Sequence, residues 1–468
     1  MQYRSSFFLL LGLMCAAGVF FAPLDGGLSA EGQSALSVLT LCVVWWIFTP
    51  VPLPVTSMVG LALLPVLNAM TVGEAFALFG NQAVFFVIGV FIVASVMLQS
   101  GISARLSISG LRLAVKSEAW LCNSILFLSF ALCAVIVSHA VAALMFPIVL
   151  GIIQALNLPH RSRLSRRLLL SMAWGTVCGS NIGLLSSARA ALALELFDGV
   201  RSTAPVPLPS IGVVDYSLAA APLALGSLLI AALLLHLRFP SEGIDLKPVV
   251  EKLDSDIQSK GPMSLREWLT LLVLFLMIGA MIWGGAQNMG ITALLFCGVF
   301  FALGLLQWED AERYVNWGVV LLYGGAIAVG AAVHQTGASL WLVEALMPAS
   351  TVAPWLVLIG LGTVAALLTE VVSNSAVIAI ILPVALALSD RYGLNPRAVA
   401  ILAPVCAGFA FMLPTSTPAM AMVFGVGQLR TRDTIVGIVI TVSTLLLFLL
   451  VSVLWWPIIG FAPILELP

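Results

Sequence analysis

Charge is scarce in this chain. Lysine, arginine, aspartate and glutamate together make up 9% of its 468 residues, where a soluble domain carries about a quarter, so most of the sequence cannot face water. The net charge of -1 comes from a few short stretches between apolar runs, which argues against nucleic acid or an acidic polymer as partner. Cysteine pairing is lacking too. The seven cysteines (Cys15, Cys42, Cys122, Cys133, Cys178, Cys297, Cys406) lie in apolar segments with no CxxC and no metal-like spacing, so they read as core filler. Absent as well is a clustered set of acid, base and nucleophile. The titratable residues at membrane depth, His139, Arg189, Glu195, Glu370 and His334, are scattered along the chain, which disfavours an intramembrane enzyme.

What is abundant is apolar sequence, 61% of the total. Runs of about 17 to 25 such residues recur from end to end, the length that crosses the hydrocarbon core as helix, and roughly eleven spans are expected. Phe7 to Phe21 behind Arg4 has the basic start of a signal peptide but no clear small-x-small cleavage site, so it reads as an uncleaved first helix.

The chain also repeats itself. Phe85 to Leu106 resembles Leu321 to Leu342 at an offset of 236, the distance from Gln99 to Gln335. The same offset carries Gly89 onto Gly325, Gly101 onto Gly337 and Pro147 onto Pro383 without a gap. Lysine and arginine mark cytoplasmic loops. The loop after the first copy carries Arg105, Arg112 and Lys116, whereas its partner after Gly337 carries only Glu344. Likewise the turn His160 to Arg167 holds four arginines, while the matching turn near Asp390 is mixed, with Arg391 and Arg397. Equivalent loops therefore sit on opposite sides, the inverted-repeat plan of secondary transporters.

The expected organisation is a first helix (1–30), an inverted repeat (31–237), a hydrophilic cytoplasmic connector (238–266) and a second repeat (267–468). The N-terminus is cytoplasmic, the first helix emerges outside before Asp25 and Glu31, and the C-terminus ends outside. Trp120 to Leu156 lies between two basic loops and must enter and leave on one side, as a re-entrant hairpin; Pro354 to Ser389 is its counterpart on the other side. Gln99, His334 and Gln335 read as helix-end residues.

Chemistry is expected at the hairpin tips and at two helix breaks. Ser373, Asn374 and Ser375 form the second tip, where polar groups at membrane depth need partners or a cavity; Glu370 is placed to cap or orient it. In Ala410 to Phe424, AFMLPTSTPAMAMVF, Pro414 and Pro418 bracket Thr415, Ser416 and Thr417 and must break the helix. Freed carbonyls beside hydroxyls suit a small hard cation such as sodium, and the half-helix beginning near Pro418 turns its positive end to the break, suiting an anion.

At these residues the chain resembles the divalent anion/sodium symporter family, within the superfamily that includes arsenite pumps and sodium/proton antiporters. SNSAVIAIILP matches that family's Ser-Asn-Thr tip, and AFMLPTSTPAM matches its AFMLPxATPPN break. The resemblance implies that Ser373, Asn374 and Ser375 help bind one sodium ion and one substrate carboxylate, with Thr417 and the carbonyls near Pro414 finishing the ion site. It also implies a homodimer with an elevator motion. The first half departs from the pattern. Its tip reads Val137, Ser138, His139, and its break, WGTVCGSNIGLLSSARAALALEL from Trp174, keeps Gly175, Gly179, Ser180, Asn181 and Gly183 but introduces Arg189. A first sodium site would rest on Ser138 and Asn181. Arg189 has two readings, a substrate or ion-site role or a structural pair with Glu195.

The sequence thus describes an all-α polytopic protein of the inner membrane, with two inverted repeats, two re-entrant hairpins and two broken helices. It is expected to be a secondary transporter of small di- or tricarboxylates or similar divalent anions such as sulfate, sodium-coupled, with no organic cofactor. Its expected substrate-binding residues are Ser138, His139, Arg189, Ser373, Asn374, Ser375, Thr417 and Pro418, and its expected sodium ligands are Ser373, Asn374, Pro414 and Thr417. The alternatives are an anion exchanger or an arsenite or sodium/proton carrier, although those last relatives tend to carry an acidic residue at the tips and here neither tip does.

Overall fold

The computed structural model of the chain describes residues 2–24, 27–203, 208–285, 288–346 and 352–465. Asp25 of the topology count lies outside them, as does the side chain of Asp390. The named elements among these residues are all helices. Seven are long and apolar enough to cross a membrane, and seven shorter apolar helices accompany them, so the chain is a polytopic membrane protein. Leu265–Gly284 shows how such a helix sorts its faces: Val273, Leu274, Met277 and Met281 are buried, while Leu272, Phe275, Leu276 and Trp283 stand exposed. An apolar helix with an exposed apolar flank is suited to lipid.

Helix bounds recur at the offset of 236 seen in the sequence. Leu53–Val66 and Met289–Ala302 correspond at both ends, as do Glu118–Leu132 and Pro354–Leu368, and Ser138–Ala155 and Asn374–Tyr392 correspond at their starts. Packing follows the same rule. Leu53–Val66 lies against Trp317–Gln335, and Met289–Ala302 lies against Gln82–Gln99. At the first crossing a Cβ on Gly325 would come within 2.3 Å of the Ser57 carbonyl oxygen; at the second, a Cβ on Gly89 would come within 2.6 Å of the Ala293 Cβ. Positions 57 and 293 share the offset of 89 and 325, so one close helix contact is made twice, each time across a glycine that lets the backbones approach. Gln99 and Gln335 end their helices, with His334 one residue earlier.

The connector differs from the loop expected over 238–266. It contains a helix, Lys247–Lys260, that buries Val249 and Leu253 against Ile102–Ala114 and Ser138–Ala155. Two apolar residues at i, i+4 amid charge give one narrow buried stripe, too weak a pattern to stand out as a helix beforehand. Arg105 and Arg112, expected in a loop, stand instead on the helix Ile102–Ala114 and bind the connector and the start of the helix after it. Arg105 Nε lies 2.7 Å from Glu267 Oε1, with further bonds to the carbonyls of Lys260 and Gly261, and Arg112 Nε lies 2.5 Å from Asp254 Oδ1. The seven cysteines are unpaired, and six are buried.

Candidate functional site

Each helical pair built around a tip has the same local geometry. Glu118–Leu132 turns through Cys133 to Val137 into Ser138–Ala155; Pro354–Leu368 turns through Thr369 to Ser373 into Asn374–Tyr392. The residues preceding the second arms, Val137 (φ -57, ψ 139) and Ser373 (φ -55, ψ 133), adopt nearly the same conformation, and neither side chain caps its helix. The first-turn amides of both helices are left for whatever lies beyond the tip.

Both breaks occur as expected in kind. Arg163–Gly179 ends at Ser180 and the chain resumes as Ala188–Thr203; Pro396–Cys406 ends at Ala407 and resumes as Pro418–Gly425. The second interruption begins well before Pro414, because a carboxylate captures its backbone. Glu370 accepts from the amides of Phe411 (2.8 Å), Met412 (3.0 Å) and Leu413 (2.8 Å), so residues 411 to 413 have an acceptor outside any helix. Glu370 therefore ties the tip to the break rather than capping Ser373. Pro418 then takes the first helical position, where a missing amide costs nothing, and Thr417 caps it by accepting from Met420 N.

The first break is fitted against the first tip pair by glycines four residues apart. Cβ atoms on Gly175, Gly179 and Gly183 would lie 2.3, 2.4 and 2.5 Å from the carbonyl oxygens of Leu126, Phe130 and Ala134. Only glycine permits that approach.

Tips and breaks converge on one cavity of about 460 Å³, within the range of small-molecule sites. Ser138, His139, Arg189, Ser373, Asn374, Ser375, Pro414, Thr417 and Pro418 all line it. Four helices begin on this wall, at Ser138, Ala188, Asn374 and Pro418. Each start carries partial positive charge; no side chain caps those at Ser138 and Asn374, while Ser187 Oγ and Thr417 Oγ1 accept one amide each at the other two. No carboxylate lines the cavity among the described residues, and its two ionisable groups are His139 and Arg189. Such a wall attracts anions, while its hydroxyls and freed carbonyls offer hard oxygen atoms.

Asn181 is the exception among the expected ligands. It is fully buried, stands outside the cavity wall, and accepts from Arg189 Nη2 at 2.6 Å. The same Nη2 lies 3.2 Å from both the carbonyl and the hydroxyl oxygen of Ser180, and Nε donates to the Pro404 carbonyl at 2.8 Å. The pair with Glu195 is not formed: Glu195 accepts from Asn81 instead. Six residues separate Arg189 from Glu195 on one helix, about 240° of rotation, which points them to different faces. His139 packs its ring 5.4 Å from that of Phe91.

Several wall and support residues went unnoticed in the sequence. Thr176, Ser186, Phe91 and Val319 line the cavity, beside Ser180 of the first break. Behind it, Tyr323 Oη shares a hydrogen bond with Ser375 Oγ at 2.9 Å. Thr369 Oγ1 lies 2.6 Å from the Ala407 carbonyl and 2.8 Å from the Asn374 amide. One hydroxyl has one proton, so the Ala407 carbonyl and Asn374 Oδ1 share it, and Thr369 fixes the Asn374 side chain at the tip. Gly408 makes room for the guanidinium, since a Cβ there would fall 2.0 Å from Asn181 Oδ1 and 2.3 Å from Arg189 Nη2.

A helical membrane protein with two interrupted helices facing each other across a polar cavity is built as a secondary transporter. The chain belongs to the sodium:sulfate symporter family: the profile of that family's transmembrane region matches residues 4–462. Its relatives include the sodium-dependent dicarboxylate transporter SdcS of Staphylococcus saprophyticus, 24% identical with 90% of this chain and 86% of the relative covered. SdcS of Staphylococcus aureus is 26% identical over 91% and 86%. Among solved structures, the fold is similar to MtrF of Neisseria gonorrhoeae (TM-score 0.57, 14% identity, 97% of this chain and 94% of that one). It is also similar to the YdaH transporter of Alcanivorax borkumensis (TM-score 0.53, 15% identity, 82% and 88%). The protein is a transporter and not an enzyme.

Proposed function

We propose that this protein carries small di- or tricarboxylates, or a similar divalent anion such as sulfate, coupled to sodium. The observation that carries the reading is the convergence of four helix N-termini and one guanidinium on a cavity wall without a carboxylate. Positive helix ends and Arg189 favour the anion. Ser138, His139, Arg189, Ser373, Asn374, Ser375, Thr417 and Pro418 contact it. Sodium is held by Ser373, Asn374, Thr417 and the carbonyl of Pro414, where half-helix ends and unwound backbone supply oxygen. The printed activity of the SdcS relatives supports both the substrate class and the coupling ion.

In this reading the two halves are inverted repeats, supported by the helix bounds and reciprocal glycine contacts at one offset and by the opposed placement of basic residues in equivalent loops. The N-terminus is cytoplasmic and the C-terminus external. The two tip pairs are re-entrant, and a homodimer moves the tip-and-break body past the remaining helices as an elevator. The test is uptake of radiolabelled succinate, citrate and sulfate by proteoliposomes with and without an inward sodium gradient. Sodium-stimulated uptake of at least one is expected; equal uptake without sodium sinks the coupling, and no uptake of any sinks the substrate class.

A further inference from the structure

The geometry points to a built-in cation: the guanidinium of Arg189 occupies the oxygen cluster of the first break, so each protomer binds a single sodium ion, at the second half. This rests on the transport reading above. Three oxygen atoms of different kinds surround Nη2: the Ser180 carbonyl at 3.2 Å, the Ser180 hydroxyl at 3.2 Å and the Asn181 amide at 2.6 Å. They stand at the C-terminal end of Arg163–Gly179, where the helix carries partial negative charge. Unwound backbone and a helix C-terminus are what transporters use to hold a monovalent cation. Here a side chain of the same protein has taken that place. Asn181 faces no cavity and is fully buried, so an ion entering from solvent finds its amide oxygen already engaged.

The second half differs at the equivalent point. The helix Pro396–Cys406 also ends in freed carbonyls, of which Pro404 accepts from Arg189 Nε and Ala407 from the neutral Thr369 hydroxyl. At the proposed ion site beyond this helix end, Ser373, Asn374, Pro414 and Thr417 accept from no charged side chain among the described residues. A cation is needed there to balance the oxygen dipoles and the bound anion; in the first half it is already supplied. Arg189 is held for that task from both halves, because its Nε bonds Pro404 while its Nη2 bonds the first break. Nη1 makes no hydrogen bond with a described residue, on a side chain that lines the cavity. It is the donor left for the anion.

Binding of radiosodium to the purified full-length protein, measured alongside proteoliposome uptake, tests the assignment. The parent is expected to bind one ion per protomer and to show a Hill coefficient near one for sodium in uptake. Arg189→Ala opens the cluster and is expected to bind a second ion, read directly whether or not the variant transports. Arg189→Lys keeps a cation but has no second donor for the anion; it is expected to keep one bound ion while the substrate KM rises about tenfold or more. Two bound ions in the parent, or one in the alanine variant, overturn the assignment. Failure of the transport reading looks different: one bound ion with no uptake of any anion offered removes that reading and leaves the cation count standing. No bound sodium in the parent overturns both.

Discussion

Glu370 is the residue whose replacement the geometry lets one reason through most fully. Its carboxylate is buried, at 3% exposure. It accepts four hydrogen bonds from three amides: Phe411 and Met412 on Oε1, Met412 and Leu413 on Oε2. Among the described residues no basic side chain pairs with it, so the backbone dipoles alone hold the charge. Glutamine has the same shape but one acceptor. Its amino group must face either Phe411 or Leu413 and takes one Met412 contact with it, so one amide loses its acceptor outright and two keep a neutral one. A charge-assisted bond contributes about 1.5 to 3 kcal/mol and a neutral one about 0.5 to 1.5; with one bond lost and two weakened by about 1 to 1.5 kcal/mol each, Glu370→Gln should cost about 3.5 to 6 kcal/mol locally. The loss falls on the segment between Cys406 and Pro418, which opens without unfolding the helices around it. At 1.36 kcal/mol per factor of ten, amide exchange at 411 to 413 should accelerate about 400- to 30,000-fold. Hydrogen exchange read by mass spectrometry on a peptide covering those residues measures it, with uptake recorded in parallel. Acceleration under threefold would show that the carboxylate does not hold the break.

Ser373→Ala, Asn374→Ala and Thr417→Ala should each cut uptake by about a hundredfold while expression and monodispersity stay normal, since each removes an oxygen and little packing; normal uptake in all three would make the second tip structural only. Gly408→Ala should raise the substrate KM about tenfold by pushing the Arg189 guanidinium from its seat, and an unchanged KM would free Arg189 from the site. Single cysteines at Arg163 and Arg391, both exposed, in a Cys15→Ser background should label from opposite faces in sided vesicles. Labelling from one face would end the inverted-repeat reading. Asn395, a few residues on, is a poor label site because it is buried and bonds the Ala462 carbonyl.

What the sequence made legible were the features that violate an apolar background. Ser373 to Ser375 and the bracket Pro414 to Pro418 stand out because polar groups and proline are costly inside a membrane helix, and all of them line the cavity, with Thr415 and Ser416 also bonding backbone carbonyls. The offset of 236 was legible for the same reason: glycines at 89 and 325 interrupt runs that otherwise carry little information. What each glycine touches was not, because Ala293 and Ser57 are distant in sequence and ordinary in type. Thr369, Tyr323 and Gly408 were missed on similar grounds; a lone threonine, tyrosine or glycine in an apolar helix has no spacing that marks it, and their roles exist only once two halves meet. Glu195 misled because proximity in sequence was taken for proximity in space, when helical rotation sets the two side chains apart.

The two tip-and-break units share backbone geometry and differ in side-chain chemistry. Val137 and Ser373 share a backbone conformation within a few degrees although one is apolar and the other a hydroxyl, because the turn is fixed by hydrogen bonds between backbone atoms: Ile136 N to Leu132 O in one, Val372 N to Leu368 O in the other. A tip needs only those bonds to form, so its side chains are free to diverge without cost to the fold. The helix N-termini, and the anion attraction that comes with them, therefore persist in both halves whatever the residue types. Cation binding does not persist in this way, because it depends on side-chain oxygen atoms and on what else competes for the freed carbonyls. On the proposal above, one arginine at position 189 changes the number of ions a half-site takes, while the anion-facing helix ends are left in place. On that proposal, anion recognition is built into the backbone of this fold, and the coupling ion count is set by single side chains.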